Sequence, residues 1–138
     1  MLDTRRLSDR IEIADLLTTY TRAVDTGEWD LLDTVFTPDA RIDYTATGGI
    51  QGAFPEVKAW LAEVLPSFAR RQHLLCQSAV VLDGDAATVT VYFANPMVTV
   101  RGDVEHLFAC GGYYHHDLVR TPAGWRSRRV TQELVWTR

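Results

Sequence analysis

The chain has 138 residues, 46% of them hydrophobic, with a net charge of −4. That is apolar material for one domain, 1–138, around one core, and the acidic balance excludes a basic field for nucleic acid. No apolar stretch approaches the roughly 20 residues of a membrane helix, and the N-terminal run from Met1 to Arg6 has no signal-peptide core, so a cytoplasmic protein is expected.

From Leu7 to Val24 the apolar residues Leu7, Ile11, Ala14, Leu17, Tyr20 and Val24 recur every three or four positions. This spacing predicts an amphipathic helix with one buried stripe. Ser8 with Glu12 is a loose capping signal, and Gly27 ends the helix. Glu28 to Phe36 repeats helical spacing through Trp29, Leu32 and Phe36, and Thr37-Pro38-Asp39 stops it. Arg41 to Thr45 alternates as a short strand, and Gly48 with Gly49 makes a flexible loop. Phe54 to Leu65 predicts a third helix, with Val57, Trp60, Leu61 and Val64 on one face.

The second half changes period. Gln72 to Leu82 is an apolar-rich run, and Asp83-Gly84-Asp85 is a hairpin signal. Ala86 to Val100 is β-branched and aromatic, with Pro96 predicting a bulge or an edge. Arg101-Gly102-Asp103 is a second turn, Leu107 to Arg120 a long strand, and Pro122-Ala123-Gly124 leads into Trp125 to Trp136. Helices followed by antiparallel strands indicate an α+β domain. Cys76 and Cys110 each sit alone in a strand pattern and read as buried free thiols. No CxxC or HExxH spacing occurs, so no metal is expected, and no Walker loop or GxGxxG calls for a nucleotide cofactor.

Three residues carry the chemistry. Asp25 stands at the end of the first predicted helix, where the helix dipole disfavours a carboxylate. Tyr44 closes the run Arg-Ile-Asp-Tyr, and His73 opens an apolar strand. Strand alternation places His73, Leu75, Gln77 and Ala79 on one face and Leu74, Cys76, Ser78 and Val80 on the other. Each residue alone fits an ordinary structural role. A carboxylate, an imidazole and a phenol together are the parts that move a proton to and from carbon or oxygen. His115 and His116 are adjacent on a strand and so point to opposite faces; a subunit contact suits His115 better than a metal, and His116 is a minor pocket candidate.

The stretch Ala-Val-Asp-Thr-Gly-Glu-Trp-Asp-Leu-Leu (23–32), then Arg-Ile-Asp-Tyr (41–44) and Arg-Arg-Gln-His (70–73), resembles scytalone dehydratase. The ending Tyr-Tyr-His-His-Asp-Leu-Val-Arg-Thr-Pro-Ala-Gly-Trp-Arg (113–126) resembles the SnoaL-like branch of the nuclear transport factor two-like superfamily. The resemblance spans nearly the whole chain. It implies three N-terminal helices packed on a strongly curved mixed sheet that encloses an apolar cavity. It matches Asp25 to the family aspartate, His73 to the histidine that aspartate orients, and Tyr44 to a tyrosine that binds the substrate carbonyl through water. Val24 stands where the dehydratase has a second tyrosine. Met97 or Val98 replaces its second histidine, and Gly112 and Tyr114 replace its serine and asparagine. The base is retained while the substrate-polarising groups differ. The same Asp–His pair is similar to that of a dehydrochlorinase in the superfamily.

The resemblance therefore implies a cofactor-independent lyase or isomerase of dehydratase or cyclase type, acting on a small cyclic ketone or polyketide-like molecule. A small-ligand-binding or dimerisation module without chemistry, and an epoxide or ester hydrolase, are the competing readings. Tyr20, Val24, Phe54, Trp60, Phe93, Met97, Phe108 and Tyr114 are the candidates for the substrate-binding wall. The aromatic and histidine content of the strand around Tyr113 and His115 predicts a homo-oligomer, a dimer through the outer sheet face.

Overall fold

The computed structural model describes residues 3–138, so Met1 and Leu2, which belong to the N-terminal reading above, lie outside the described residues. Helix α1 runs Thr4–Thr26. Asp3 caps it by accepting the Arg6 N–H, so the helix starts earlier than the Ser8 signal suggested. It ends at Gly27, whose φ of 77° is the left-handed geometry a helix stop requires and whose N–H bonds the Ala23 carbonyl. Its buried face is Asp9, Ile13, Leu16, Leu17, Tyr20, Ala23 and Val24. The predicted stripe is therefore right at its C-terminal end and wrong at its start: Leu7 is 49% and Ile11 57% exposed, and Ala14 is exposed. Leu7 and Ile11 lie on the face turned away from Asp9, Ile13 and Leu16, and in the first turns a carboxylate takes the core-facing place. Asp9 accepts a bidentate pair from Arg120 at 2.7 and 2.9 Å and a bond from the Trp125 indole at 3.1 Å, clamping α1 to the hairpin beneath it.

The predicted middle helix is a 3₁₀ segment, Trp29–Thr34. Six residues lie between the left-handed Gly27 and a β-branched run, too few for a stable α-helix. The helical segment ends before Thr37-Pro38-Asp39, as expected, and those three residues lie inside β1, Phe36–Asp43. A short 3₁₀ turn (Thr45–Thr47) and β2 (Gln51–Ala53) follow, then α2 (Phe54–Val64), the expected third helix.

The remaining strands are β3 (Arg70–Arg71), β4 (Leu74–Asp83), β5 (Ala86–Arg101), β6 (Val104–Thr121) and β7 (Gly124–Thr137). Together they form one curved mixed sheet in the order β2-β1-β7-β6-β5, with β3 and β4 both on the far edge of β5. β1 runs parallel to β7 and the other pairs are antiparallel. Register shifts between Gly111 and Gly112 and between Asp117 and Leu118 add bend to the β6–β7 pair. A Cβ on Gly112 would overlap the Glu133 carbonyl, so only glycine fits the first bend.

Pro96 makes neither a bulge nor an edge against β6, where β5 pairs without a break. Its ring faces the gap between β3 and β4 instead, and its carbonyl there accepts the Gln72 N–H at 3.0 Å. The break occurs in the partner strand, where the missing donor is not needed.

A bulge at Gln77, whose φ of 39° is left-handed, resets the alternation of β4. Leu75 is turned toward the core, but beyond the bulge Val80 and Leu82 take that side and Ala79 is exposed. Cys76 is also exposed, contrary to expectation, because the outer face of β4 is open; Cys110 is buried.

Candidate active site

Asp25 lies one residue before the end of α1, and His73 lies in the gap between β3 and β4. Both carboxylate oxygens of Asp25 accept the His73 backbone N–H, at 3.1 and 2.9 Å. Oδ1 also meets the ring Nδ1 at 2.6 Å, the short distance of a charge-assisted bond. Three contacts thus offset the unfavourable end of the helix dipole. With Asp25 accepting at Nδ1, the proton of neutral His73 resides on Nδ1, and Nε2 is the free basic nitrogen.

Arg71 holds the two elements together, a role the sequence reading missed. Its Nε donates to the Val24 carbonyl at 2.7 Å, and its guanidinium lies 5.7 Å from the Trp29 ring centroid. A basic residue two positions before His73, able to reach orphan carbonyls at the end of α1, was the available signal.

His73 is on the wall of a pocket of about 440 Å³ between α2 and the concave side of the sheet. Of the predicted wall, Tyr20, Trp60, Met97, Phe108 and Tyr114 line it, as does Tyr44. Val24, Phe54 and Phe93 do not; they are core residues. Phe54 packs 5.1 Å from Phe36, and Phe93 stacks on the back of Tyr114 at 4.5 Å. Thr47, Asn95, Cys110 and Gln132 are wall residues the sequence did not point to. They come from three strands and a loop, and only the sheet register assembles them.

Three phenols meet at one side of the pocket. The hydroxyls of Tyr20 and Tyr44 share a 2.7 Å bond. Tyr114 packs edge-on to both rings, at 5.8 and 6.4 Å. Its hydroxyl accepts from Gln132 at 3.3 Å, and Gln132 in turn accepts from Thr47 at 2.7 Å. Burial raises all three phenol pKa values, so they stay neutral donors rather than phenolates. Two hydroxyls sharing one bond have a second proton to offer, and the Tyr114 proton is a further one.

His116 does not belong to the pocket. It is buried and its Nδ1 donates to Ser127 at 2.9 Å, while Ser127 donates to the Arg129 carbonyl. Burial, with a smaller effect of His115, lowers its pKa to about 4. His115 points outward to Glu133 at 2.8 Å and Thr90 at 3.0 Å. The opposite-face reading of the two histidines is correct. Burial also pushes the Cys110 thiol up, which keeps it protonated. Among the described residues, no group of three or more His, Cys, Asp or Glu is placed to hold a metal ion.

Residues 5–131 match the sequence pattern of the SnoaL-like domain. The chain belongs to the SnoaL-like family. An uncharacterized protein of Mycobacterium tuberculosis, Rv2910c, is 49% identical to it over 131 residues, covering 94% of this chain and 88% of that one. The Kfla4162 protein of Kribbella flavida is 26% identical in its crystal structure, with a TM-score of 0.87 over 95% of this chain and 93% of that one. Two more distant structures share the fold. A type 2 hexachlorocyclohexane dehydrochlorinase, LinA, is 20% identical with a TM-score of 0.83 over 96% of this chain and 89% of that one. A scytalone dehydratase-like protein of Novosphingobium aromaticivorans is 15% identical with a TM-score of 0.82 over 96% of this chain and 87% of that one. Solved neighbours of this SnoaL-like protein thus include lyase-type proteins.

Proposed function

We propose that this SnoaL-like protein is a cofactor-independent lyase or isomerase that moves a proton on a small cyclic ketone or polyketide-like substrate. The observation that carries this reading is the 2.6 Å bond from His73 Nδ1 to Asp25, made by a histidine on the pocket wall. A histidine fixed in one tautomer by a carboxylate is the arrangement a general base needs.

In the proposed reaction Nε2 takes a proton from the carbon beside the substrate carbonyl. The C–H electron pair becomes the C=C of an enolate, and the charge moves to the carbonyl oxygen. Asp25 stabilises the imidazolium that forms. Neutral phenol donors from Tyr44, Tyr20 or Tyr114 stabilise the oxyanion where water is scarce. Two outcomes complete the balance. The imidazolium returns its proton to a β-leaving group as that group departs, or to a different carbon of the enolate.

The test does not require the natural substrate. Abstraction of an α-proton exchanges it with solvent, so 1-indanone in D₂O followed by NMR reads the base directly. His73→Ala is expected to reduce the protein-catalysed exchange by about 10²–10⁴-fold while the fold is retained. A folded His73→Ala protein that exchanges at the wild-type rate would refute the mechanism and leave the binding-module reading.

A further inference from the structure

The pocket wall carries one permanent charge, and it is positive. Arg101 lines the pocket, and no aspartate or glutamate does. Asp25 lies behind His73, with both its oxygens taken up by that residue. The chain as a whole carries −4, so the sign at the pocket is the reverse of the sign of the protein. A few charged or polar groups set into an apolar wall are what fix the orientation of a ligand.

Burial along β5 shows where Arg101 stands. Asn95, Met97, Thr99 and Arg101 share one face of the strand and all line the pocket. The first two are buried, Thr99 is half-buried and Arg101 is exposed. On β6 the same gradient runs from buried Cys110 to Phe108, which is 36% exposed. The pocket thus opens along the β5–β6 hairpin, with Arg101 at its mouth. The register leaves that guanidinium without a carboxylate. Residues directly and diagonally opposite share a face, and for Arg101 these are Val104 and His106, the partner of Thr99. Glu105 pairs with Val100 on the other face, where it accepts from Arg70 at 2.7 Å. Among the described residues Arg101 makes no ion pair.

We propose that the substrate carries a carboxylate, which Arg101 holds at the pocket mouth while the rest of the molecule lies along β5 toward His73. A planar guanidinium meets a carboxylate through two parallel N–H···O bonds. The site suits a monoanion. The N–H groups of Gly48 and Gly49, the loop glycines on the pocket wall, already bond the Thr45 and Tyr44 carbonyls, which leaves no backbone nest there for a phosphate dianion. Distance sets the shape of the molecule. Arg71 pairs with Met97 and Leu74 with Ala94, which sets His73 abreast of Asn95. Arg101 lies six residues beyond Asn95 on β5, about 20 Å at about 3.3 Å per residue. A ring at His73 and a carboxylate at Arg101 are therefore joined by a side chain or by further rings. The pocket volume of about 440 Å³ is that of a site for such a ligand rather than for a single small ring. That the carboxylate lies at the end away from the reacting carbon rests on His73 being the base; its capture by Arg101 does not.

The experiment uses 1-indanone carrying a carboxyalkoxy chain on its aromatic ring, in a series of increasing chain length. Each acid is compared with its primary amide, which matches it in size and has no charge. Binding is read by calorimetry at low ionic strength. In the longer members the acid is expected to bind about tenfold tighter than the amide, between the weak effect of an exposed ion pair and the larger one of a hydrogen bond to a charged group. The preference is expected to shrink as salt is raised. Arg101→Gln keeps a hydrogen-bonding side chain and loses the charge, and there the preference is expected to fall to about twofold or less. Arg101 is exposed at a hairpin end, so this variant keeps its fold. Arg128→Gln makes the same change of charge at an exposed position of β7 outside the pocket and is expected to leave the preference unchanged. Equal binding of acid and amide at every chain length, no saturable binding of any probe, a preference that survives in Arg101→Gln, or one lost equally in Arg128→Gln would each overturn the proposal. Proton exchange on unsubstituted 1-indanone reports on His73 and involves no anion. Absent preference with intact exchange sinks the Arg101 site only, and intact preference with no exchange sinks the proton-transfer reading only.

Discussion

Asp25→Asn separates an orienting carboxylate from a helix-end anchor. In the native site Oδ2 serves the His73 backbone N–H at 2.9 Å, and Oδ1 serves Nδ1 at 2.6 Å. An asparagine keeps its oxygen toward the backbone N–H and turns its NH₂ toward the ring. Nδ1 must then accept, the ring proton moves to Nε2, and the nitrogen facing the pocket is no longer a base. The charge is lost as well. An imidazolium and a carboxylate with charge centres about 4 Å apart interact by about 4 kcal/mol at an effective dielectric near 20. At 1.36 kcal/mol per decade that is roughly 10³-fold in rate. The Asp25 side chain is 22% exposed, so solvent removes part of this. One charge-assisted bond, about 1.5–3 kcal/mol, sets the lower end at roughly 10–100-fold. The tautomer change adds to either figure, and an amide in the corresponding place of a Ser-His-Asp triad costs about 10⁴-fold. The expected loss in the 1-indanone exchange assay is about 10²–10⁴-fold, with far-UV circular dichroism unchanged and the His73 ¹⁵N pattern reversed from the Nδ1–H to the Nε2–H tautomer. A folded Asp25→Asn protein within about threefold of wild type would refute the orienting role, because even the lower end predicts more.

Tyr44→Phe is expected to slow exchange by about tenfold, less than the 10²–10³-fold of an irreplaceable oxyanion donor. The Tyr20 hydroxyl, 2.7 Å away, is released by the substitution and can substitute for it; a loss as large as that of His73→Ala would show that Tyr44 acts alone. Asp9→Ala breaks the bidentate bond to Arg120 and strands the Trp125 N–H. It is expected to cost about 3 kcal/mol, the low end for a buried pair because Arg120 is partly exposed, and to lower Tm by about 10 °C; calorimetry showing a drop of under about 3 °C would contradict the clamp. His116 supplies the pH dependence. Its folded pKa of about 4 lies below the ordinary imidazole value of 6.5, so the unfolded chain takes up the proton first as pH falls. Its contribution to stability is complete above pH 6.5 and is lost as pH falls toward 4, by about 3 kcal/mol in all. His116→Gln is expected to flatten that part of the Tm-against-pH curve, and an unchanged slope would exclude His116 as its source.

Much of this protein was legible before folding. Local rules located the Gly27 stop, α2, the three hairpin turns and the long strands, because each depends on residues a few positions apart. The sequence pattern also marked Asp25, Tyr44 and His73 out from the rest. The errors share one cause. Leu7 and Ile11 were assigned to the core by spacing, yet the sheet packs on the opposite face of the helix, at Asp9 and Ile13. Cys76 was assigned to it by strand pattern, yet it is exposed because no described residue covers that part of the outside of β4. Burial is a property of what lies opposite, and one strand or helix does not carry that information.

The pocket shows the same division more sharply. The chain by itself placed a carboxylate near the end of α1 and an imidazole just before β4. Only the tertiary structure decided that they meet, since 48 residues separate them and their bond depends on Arg71 closing α1 against β3. Asn95 is the extreme case. In the sequence it is a polar residue before a proline in a strand, a place that suggests only a local irregularity. It becomes a pocket-wall residue with a buried, unpaired Oδ1 because the β3–β4 register puts His73 on one side of it and β6 puts Cys110 on the other. Among the described residues none supplies a donor, either along the chain or from across the sheet. Hydrogen-bond satisfaction is settled between strands, so its absence could be read only once the strands had paired.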